Sequence, residues 1–403
     1  MRACIVITAG ALLALAGPAR ALEVSFDAYV DLRLVAPPGE RGWIDGGLGK
    51  FRFGAAQPSP NFRFAEAVGQ GTLAVDDDLQ AVAVLRLEPE QRSGLDVLEA
   101  YGSWRPQAQG SWRWSAKAGA FFPPVSVEND DLGWTSPYTL TPSAINSWVG
   151  EELRTIGGEA TLAHASDWGT LSASAALFCC NEPAGVLIAW RGWAMDDRPT
   201  GLFERVRVPD ATMALFHRPF PARTGLFENI DGRLGWYARL GWDIPGWGQI
   251  AALRYDNRAD PAAHNARDDA WLTRFWNVSL KSRLFGVAIL GQALHGDTAI
   301  TDALSGVTRV TKFESAFVLL SYDLGDWRVA GRAEAFNTRA SSGTMMNEDG
   351  HAFTAAVSWY AADWLRLSAE LLAIDSRRRE RLLEGGPIGR SDTQFQLGAR
   401  GFL

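Results

Sequence analysis

The sequence predicts an all-β fold, a transmembrane antiparallel up-and-down β-barrel of about sixteen strands. Three observations predict it: apolar and polar residues alternate along many segments, short turns alternate with long loops, and aromatic residues collect beside the short turns. With 41 Gly, 17 Trp, 20 Phe, only 3 Cys and a formal net charge of −7 in 403 residues, the chain is neither disordered nor a disulfide scaffold. Its acidic balance argues against nucleic acid as a partner.

The N-terminus has the pattern of a secretory signal peptide. A basic Arg2 precedes an apolar stretch at 3–17, and an A-x-A cleavage site follows at 19–21. We therefore expect a signal peptide over 1–21 and a barrel domain over 22–403, a buried N-terminal helix being the alternative. No later run reaches the ~18 apolar residues that a membrane-spanning helix needs, so a soluble exported protein and an outer-membrane barrel remain.

Alternation with a period of two justifies the individual strands. Even positions from Leu22 to Leu34 are apolar, whereas most odd positions are polar. The same alternation returns at 112–122, 234–243, 327–335, 365–373 and 393–403. In an outer-membrane barrel the apolar face contacts lipid and the polar face lines the lumen. In a soluble secreted β-sandwich or propeller that binds glycans, the apolar face would pack on a second sheet.

The connections between strands are of two lengths. Short turns are predicted near 76–79, 107–110, 166–169, 244–248, 283–286, 324–327 and 361–363. Longer loops are predicted at 35–61, 89–95, 123–151, 179–229, 258–270, 296–311, 338–350 and 375–390. Seven turns and eight loops connect sixteen strands, although fourteen or eighteen would also fit. Short periplasmic turns and long extracellular loops are typical of bacterial outer-membrane barrels.

Aromatic residues flank the short turns, where a membrane interface would place them. They are Trp104, Trp112, Trp168, Trp242, Trp247, Phe285, Tyr322, Trp327, Tyr360 and Trp364. The chain also ends in an alternating segment from Thr393 to Leu403. We expect this last strand to close the barrel on the first, since closure removes both sheet edges.

Sixteen strands would leave a water-filled channel, which implies passive diffusion of small hydrophilic solutes through the outer membrane, with membrane lipid and lipopolysaccharide as surroundings. The candidate pore-lining and constriction residues are Arg113, Lys117, Glu128, Arg233, Arg239, Arg254, Arg328, Arg332 and Arg366. Charged rings set ion preference, and arginine suits carboxylate or phosphate. A weak preference for anions is therefore a hypothesis.

The loop at 123–151 is the predicted constriction. Pro123 and Pro124 must end the preceding strand because neither can donate to a sheet. The Thr141-Pro142-Ser143 sequence predicts a capped short helix immediately after it. A loop with its own packed structure can fold into the lumen, and an exposed hairpin is the alternative. The loop at 179–229 is predicted to lie outside the barrel.

One family resemblance rests mainly on this loop. The Phe122-Pro123-Pro124 sequence after the fifth strand, Glu128 behind it and the sixteen-strand plan resemble the phosphate-selective porin O/P-type family of outer-membrane porins. The resemblance covers the mature chain as architecture and this one loop at the level of residues. It implies a homotrimeric channel.

Other chemistry finds little support in the sequence. The histidines show no metal-ligand spacing, and we expect no cofactor and no catalytic site. The adjacent Cys179 and Cys180 could form a vicinal disulfide, but an unbonded pair is favoured because bonding adjacent residues strains the chain. The rival function is a membrane-embedded hydrolase using His295 or His351 near an outer strand end.

Overall fold

The computed structural model describes residues 22–54, 59–90, 92–215, 222–303, 305–341 and 343–403. The predicted signal peptide lies outside the described residues. The strands are β1 Glu23–Ala36, β2 Asn61–Ala74, β3 Leu79–Leu87, β4 Leu95–Trp104, β5 Trp112–Phe121, β6 Thr155–Ser166, β7 Gly169–Cys179, β8 Arg205–Arg207, β9 Arg223–Gly225, β10 Gly235–Ile244, β11 Gly248–Asp256, β12 Leu272–Leu284, β13 Val287–Thr301, β14 Thr308–Leu324, β15 Trp327–Ala340, β16 Glu348–Ala362, β17 Leu365–Arg378 and β18 Gly389–Phe402.

Sixteen of these strands form a closed antiparallel barrel, as predicted, while β8 and β9 form a separate two-stranded sheet. The first strand closes on the last, with Tyr29 opposite Phe402 and Ala36 opposite Phe395. Elsewhere each strand pairs with its neighbours in sequence, except that β7 pairs with β10 because β8 and β9 lie in the intervening loop. The pairing of β1 with β2 shifts between Asp31 and Leu32, where Ala65 of β2 is the additional residue.

The two ends of the barrel differ in the length of the connections between strands. At the turn end, short connections join the strands, and at the loop end the connections are long. Exposed aromatic side chains collect at the turn end: Trp104, Trp112, Trp168, Trp247, Phe285, Tyr322, Trp327, Trp359 and Trp364. Trp327 and Trp359 stack there with ring centroids 5.5 Å apart. No helix among the described residues is long and apolar enough to cross a membrane.

Among the described residues, three short α-helices lie in the loops, namely α1 Ala144–Glu152, α2 Val186–Trp190 and α3 Asp210–Ala214. Helix α1 begins where the sequence predicts a capped helix. Ser143 is its N-cap, and the Ser143 side chain accepts a hydrogen bond from the backbone N–H of Asn146. Such a cap satisfies one of the N–H groups that a helix start leaves unpaired.

Apolar residues fill the loop half of the lumen, where sequence reasoning expected water. On β14 the outward Val318 is 54% exposed, whereas the inward Phe317 is 3% exposed although it is also apolar. The inward side chains pack on loop residues, above all Trp148, whose ring centroid lies 5.6 Å from that of Phe275 and 5.1 Å from that of Phe313. The lumen at this level is therefore a protein core.

Candidate constriction inside the barrel

Residues 122–154, which join β5 to β6 and are here called the crossing loop, traverse the lumen. The loop leaves β5 where Pro123 and Pro124 interrupt the strand ladder. At this start the backbone N–H of Phe122 donates to Glu99 Oε1 of β4 at 3.0 Å. Further along, the loop contacts the inward faces of β12, β13, β15, β17 and β18, on the far side of the barrel.

Carboxylates on the far wall accept hydrogen bonds from the backbone of the crossing loop. Glu370 Oε2 of β17 accepts from the N–H groups of Leu140 and Thr141 at 2.6 and 3.0 Å. Glu334 Oε2 of β15 accepts from the N–H of Ala144, the first residue of α1, at 2.8 Å. Both acceptors are buried. These hydrogen bonds hold the crossing loop and the start of α1 against the wall.

A buried ion pair completes this attachment. Arg332 Nη1 of β15 donates to Glu128 Oε1 of the crossing loop at 2.5 Å, and Arg332 Nε donates to Glu334 Oε1 at 2.8 Å. The same guanidinium donates to the carbonyl oxygens of Thr141 and Pro142 at 2.9 and 3.0 Å. Arg332 thus satisfies acceptors in both the loop and the wall without exposing its charge to water.

Amide side chains join the loop to β12 and β13. Asn146 Nδ2 donates to Glu128 Oε2 at 3.0 Å and to Gln292 Oε1 at 3.2 Å. Gln292 Nε2 and Asn277 Nδ2 both donate to the carbonyl oxygen of Val125, at 3.0 and 3.1 Å. Because each of these groups is buried, leaving one of them unpaired would cost about 1–3 kcal/mol.

The C-terminal end of α1 holds a second loop inside the barrel. Residues 180–234 join β7 to β10 and are here called the plug loop, which the sequence placed outside. Glu152 Oε1 accepts from the backbone N–H groups of Gly185 and Leu187 at 3.2 and 2.8 Å, at the start of α2. The indole N–H of Trp148 donates to the same carboxylate. Burial raises the pKa of Glu152, and these donors oppose that rise.

Nine charged side chains form a buried cluster, here called the lumen ion-pair cluster, beside β1, β2, β3 and β18. Its members are Asp31, Arg33, Arg52, Glu66, Arg86, Glu88, Asp197, Arg198 and Arg400. Asp197 of the plug loop forms ion pairs with Arg33 of β1 at 2.5 Å and with Arg52 at 3.1 Å. Arg52 lies in the loop between β1 and β2, here called the first loop. The cluster therefore ties two loops to the wall.

The electrostatics of this cluster favour ionised carboxylates. Glu88 pairs with Arg52 at 3.2 Å and with Arg198 at 2.9 Å. Burial by itself would raise the pKa of Glu88, but the arginines outweigh it and lower that pKa to about 2. The pKa of Asp197 is likewise lowered by Arg33 and Arg52 against the effect of burial. Glu88 and Asp197 are therefore both charged across the physiological range.

Four of the predicted site residues meet around the crossing loop: Glu128, Arg328, Arg332 and Arg366. Arg328 Nη1 donates to the carbonyl oxygen of Pro137 at 3.1 Å. Arg366 Nη1 lies 3.9 Å from Asp131 Oδ2. The basic wall at β15–β17 and the crossing loop therefore face each other directly.

Three more predicted residues lie across the lumen on β5 and β10: Arg113, Lys117 and Arg239. Arg113 is exposed, and among the described residues no acidic side chain pairs with it. Lys117 Nζ lies 3.4 Å from Glu159 Oε1 and 4.2 Å from the centroid of the Phe121 ring. Arg239 Nη2 donates weakly to Gln249 Oε1 at 3.4 Å. These side chains line the turn half of the lumen.

Two predicted pore-lining residues do not face the lumen. Arg233 precedes β10 and forms an exposed ion pair with Asp260 at 2.9 Å in the neighbouring loop. Arg254 points outward from β11, where its guanidinium lies 5.4 Å from the centroid of the Trp276 ring. The inward residues of β11 at this level include Leu253 and Tyr255, both buried. The expectation that charges face inward fails here because the lumen contains an apolar core.

Sequence reasoning missed the loop members of the ion-pair cluster and a second group of ion pairs at the loop end. Arg191 of the plug loop forms a bidentate pair with Glu151 of α1 at 2.6 and 2.7 Å. Lys50 of the first loop pairs with Glu348 of β16. These residues follow no alternation and have no local motif. The unusual length of the two loops was the only available signal.

Other predicted features lie outside this constriction. Cys179 and Cys180 are joined as a vicinal disulfide, contrary to the unbonded pair favoured from sequence. His295 Nδ1 and Glu314 Oε1 are 2.8 Å apart on the outward face, and His351 also faces outward. Within the described ranges, no group of three or more His, Cys, Asp or Glu residues could hold a metal ion.

Comparison with known proteins finds solved structures with a similar fold. No family model and no curated protein match the chain. Among solved structures, OmpF of Salmonella typhi in complex with daunomycin is 12% identical with a TM-score of 0.56, over 94% of this chain and 97% of that one. The outer-membrane channel DcaP of Acinetobacter baumannii is 12% identical with a TM-score of 0.55, over 96% and 100%.

The anion-selective porin of Comamonas acidovorans is 11% identical with a TM-score of 0.53, over 95% of this chain and 100% of that chain. At these identities the similarity establishes the sixteen-stranded barrel fold. The three proteins differ in what their names say they conduct or bind, so their common property is the architecture.

Proposed function

We propose that this protein is an outer-membrane channel for the passive diffusion of small hydrophilic solutes. The apolar outward face and the exposed aromatic side chains at the turn end suit a barrel embedded in lipid and lipopolysaccharide. The predicted signal peptide supports export. In that orientation the turn end is periplasmic and the loop end is extracellular.

The single observation that carries the proposal is the crossing loop itself. A loop that leaves β5 and bonds to β12–β18 divides the lumen, and Arg332 with Glu128 attaches it to the far wall at 2.5 Å. A loop held inside a barrel in this way limits what can pass. Because the plug loop also packs against α1, solute passage requires these two loops to separate.

Charge pairing in the turn half supports a weak ion preference at most. Lys281 pairs with Asp130 of the crossing loop, and Arg328 Nε lies 2.7 Å from Asp323 Oδ1. Neighbouring charges of opposite sign cancel over about a Debye length. The unpaired Arg113 tilts the balance toward anions. A channel of the phosphate-selective porin O/P type would need several neighbouring basic residues without acidic partners. We therefore propose general diffusion with a slight anion preference.

A membrane-embedded hydrolase is the less supported alternative. Its candidate histidines, His295 and His351, face away from the lumen. His295 is paired with Glu314, so a nucleophile would have to approach from the outer surface. A non-enzymatic channel is the function that the interior geometry favours. A homotrimer, implied by the family resemblance, is part of the proposal and is testable by native mass spectrometry in detergent.

The test is conductance in planar bilayers with a matched pair of variants. Wild-type protein should give small or brief openings in KCl, and R332Q should give larger or longer ones because it releases the crossing loop. R113Q is the control, since it removes the same charge without a loop contact. Reversal potentials in a KCl gradient report anion preference. If wild type and R332Q both fail to conduct while heat-modifiable gel mobility shows a folded barrel, the channel proposal is wrong.

A further inference from the structure

A separate group of inward residues lies on the far wall nearer the turn end. Arg366 of β17 stands in register with Arg400 of β18 and with Tyr360 of β16. The Arg366 guanidinium lies 5.6 Å from the centroid of the Phe402 ring. Together with Asp131 of the crossing loop, these residues are here called the Arg366 site.

Arg366 has an incomplete set of partners: the Tyr360 side chain interacts with its guanidinium, but among the described residues no acidic side chain lies within hydrogen-bond distance of it. Its side chain is only 5% exposed, and its Nε is buried without a hydrogen-bond partner among the described residues. The ion pair with Asp131 spans 3.9 Å, longer than a hydrogen bond. Arg400 next to it is fully engaged, since its Nη2 and Nε lie 2.7 and 3.1 Å from Asp31 Oδ2. Buried charges are usually paired and hydrogen-bonded, so Arg366 has capacity for an anion.

The site can be reached from the turn half of the lumen. Asp131, which covers it, is 37% exposed. Arg328 and Asp323 beside it are also partly exposed. A solute that displaces the Asp131 carboxylate would meet the Nη1 side of the guanidinium without moving the packed loops.

We propose that the Arg366 site binds a monocarboxylate solute with an apolar body, an inference that rests on the proposed channel function and names its solute class. The carboxylate takes the place of Asp131 and accepts from Arg366. The apolar body contacts the rings of Phe402 and Tyr360. Asp131 acts as an internal competitor that leaves when the solute arrives.

Two features favour a carboxylate over phosphate. Asp31 already neutralises Arg400, so the site offers one uncompensated positive charge, which matches a monoanion. The planar Arg366 guanidinium can present two N–H donors to the two oxygens of a carboxylate. The adjacent aromatic rings add apolar contact that phosphate cannot use.

Benzoate is a suitable probe, and calorimetric titration of the full-length protein in detergent measures its binding without requiring conductance. Wild-type protein should bind benzoate saturably. R366Q should weaken binding at least tenfold, because it removes one bidentate, charge-assisted pair of hydrogen bonds. R366K should weaken benzoate binding less, because lysine keeps the positive charge but cannot form the bidentate pair of hydrogen bonds. D131N should strengthen binding, because it removes the internal competitor, and this gain keeps the test valid if R366Q fails to fold.

R113Q is the control, because Arg113 is an inward arginine on the opposite wall. Equal weakening by R113Q and R366Q would show a general field effect and overturn the proposal. Phosphate binding as tight as that of benzoate, or unchanged benzoate binding in D131N, would also overturn it. KCl conductance is measured separately, so failure of benzoate binding in a conducting protein contradicts this site alone and leaves the channel standing.

Discussion

Arg332 of β15 and Glu128 of the crossing loop are 204 residues apart in sequence, and their side chains meet at 2.5 Å inside the barrel. Neither side chain is exposed. The pair attaches the loop to a wall that the chain builds only near its C-terminus. Loop placement therefore depends on completion of the barrel.

Breaking this pair should loosen the crossing loop. E128Q leaves Glu334 as the one carboxylate bonded to Arg332, and R332Q leaves both carboxylates without their cation. Removing one partner of a buried ion pair costs about 3–5 kcal/mol, so both variants should lower the free energy of unfolding in detergent, with R332Q the more severe. R113Q should change it little. Equal stability of R332Q and R113Q would contradict the role assigned to the pair.

Glu152 should be needed to keep the plug loop in place. Its carboxylate accepts from two backbone N–H groups at 3.2 and 2.8 Å at the start of α2. E152Q keeps one acceptor oxygen, whereas E152A keeps none and leaves the buried donors unpaired. Limited proteolysis should cut the plug loop faster in E152A than in E152Q, and slowest in wild type. Cleavage at the same rate in all three would show that other contacts hold the loop.

Acid should release the lumen ion-pair cluster. The arginines lower the pKa of Glu88 from its ordinary value of 4.5 to about 2, so its stabilisation is present above pH 4.5 and is lost as the pH falls toward 2. We expect the protection of residues 88–90 against hydrogen exchange, measured relative to the intrinsic rate at each pH, to fall over this interval. E88Q should show low protection at every pH. Protection that stays high at pH 2 in wild type would contradict this prediction.

Glu182, near the base of the plug loop, should respond with the opposite sign. Burial, followed by the nearby Asp231 carboxylate, raises the pKa of Glu182 from 4.5 to about 7. A raised carboxyl pKa stabilises the folded form below pH 4.5, and this contribution is lost as the pH rises through 7. The plug loop should therefore be more resistant to proteolysis at pH 5 than at pH 8.5, and E182Q should remove most of the difference. Proteolysis in E182Q as pH-dependent as in wild type would disprove this.

The vicinal disulfide makes a simple chemical prediction. Cys179 and Cys180 are bonded at the end of β7, and export through the predicted signal peptide would bring them into an oxidising compartment. Mass spectrometry of the intact protein should show the gain of two hydrogen atoms on reduction. Alkylation of both thiols in unfolded, unreduced protein would show that the bond does not form.

The strands could be predicted because most outward-facing side chains of the barrel are apolar. Alternation found β1, β5, β10, β15, β17 and β18, and Ser143 marked the start of α1. The same reasoning misplaced Arg254, because it took a charged residue as lumen-facing. Leu253 and Tyr255 face inward instead, where they pack in an apolar core that no local pattern reveals.

The interior depends on contacts between distant residues. The partners of Arg52 are Glu88 and Asp197, and nothing in the sequence around Arg52 points to either. Tyr360 was predicted to lie in the aromatic belt, but it stands opposite Arg366 on the inner wall. Trp359 takes the outward place and stacks on Trp327. Shifting a strand by one residue moves each side chain to the opposite face. Turn positions that are predicted only to within a few residues therefore could not show whether Tyr360 or Trp359 faces outward.

The lumen is asymmetric along the barrel axis, because its loop half is filled and its turn half is open. A molecule that enters from the turn end meets Arg366 while the packed core around Trp148 is still intact. One arriving from the other end must first displace that core. A population of channels inserted in a single orientation should therefore rectify, and a blocker of the Arg366 site should act faster from one compartment than from the other.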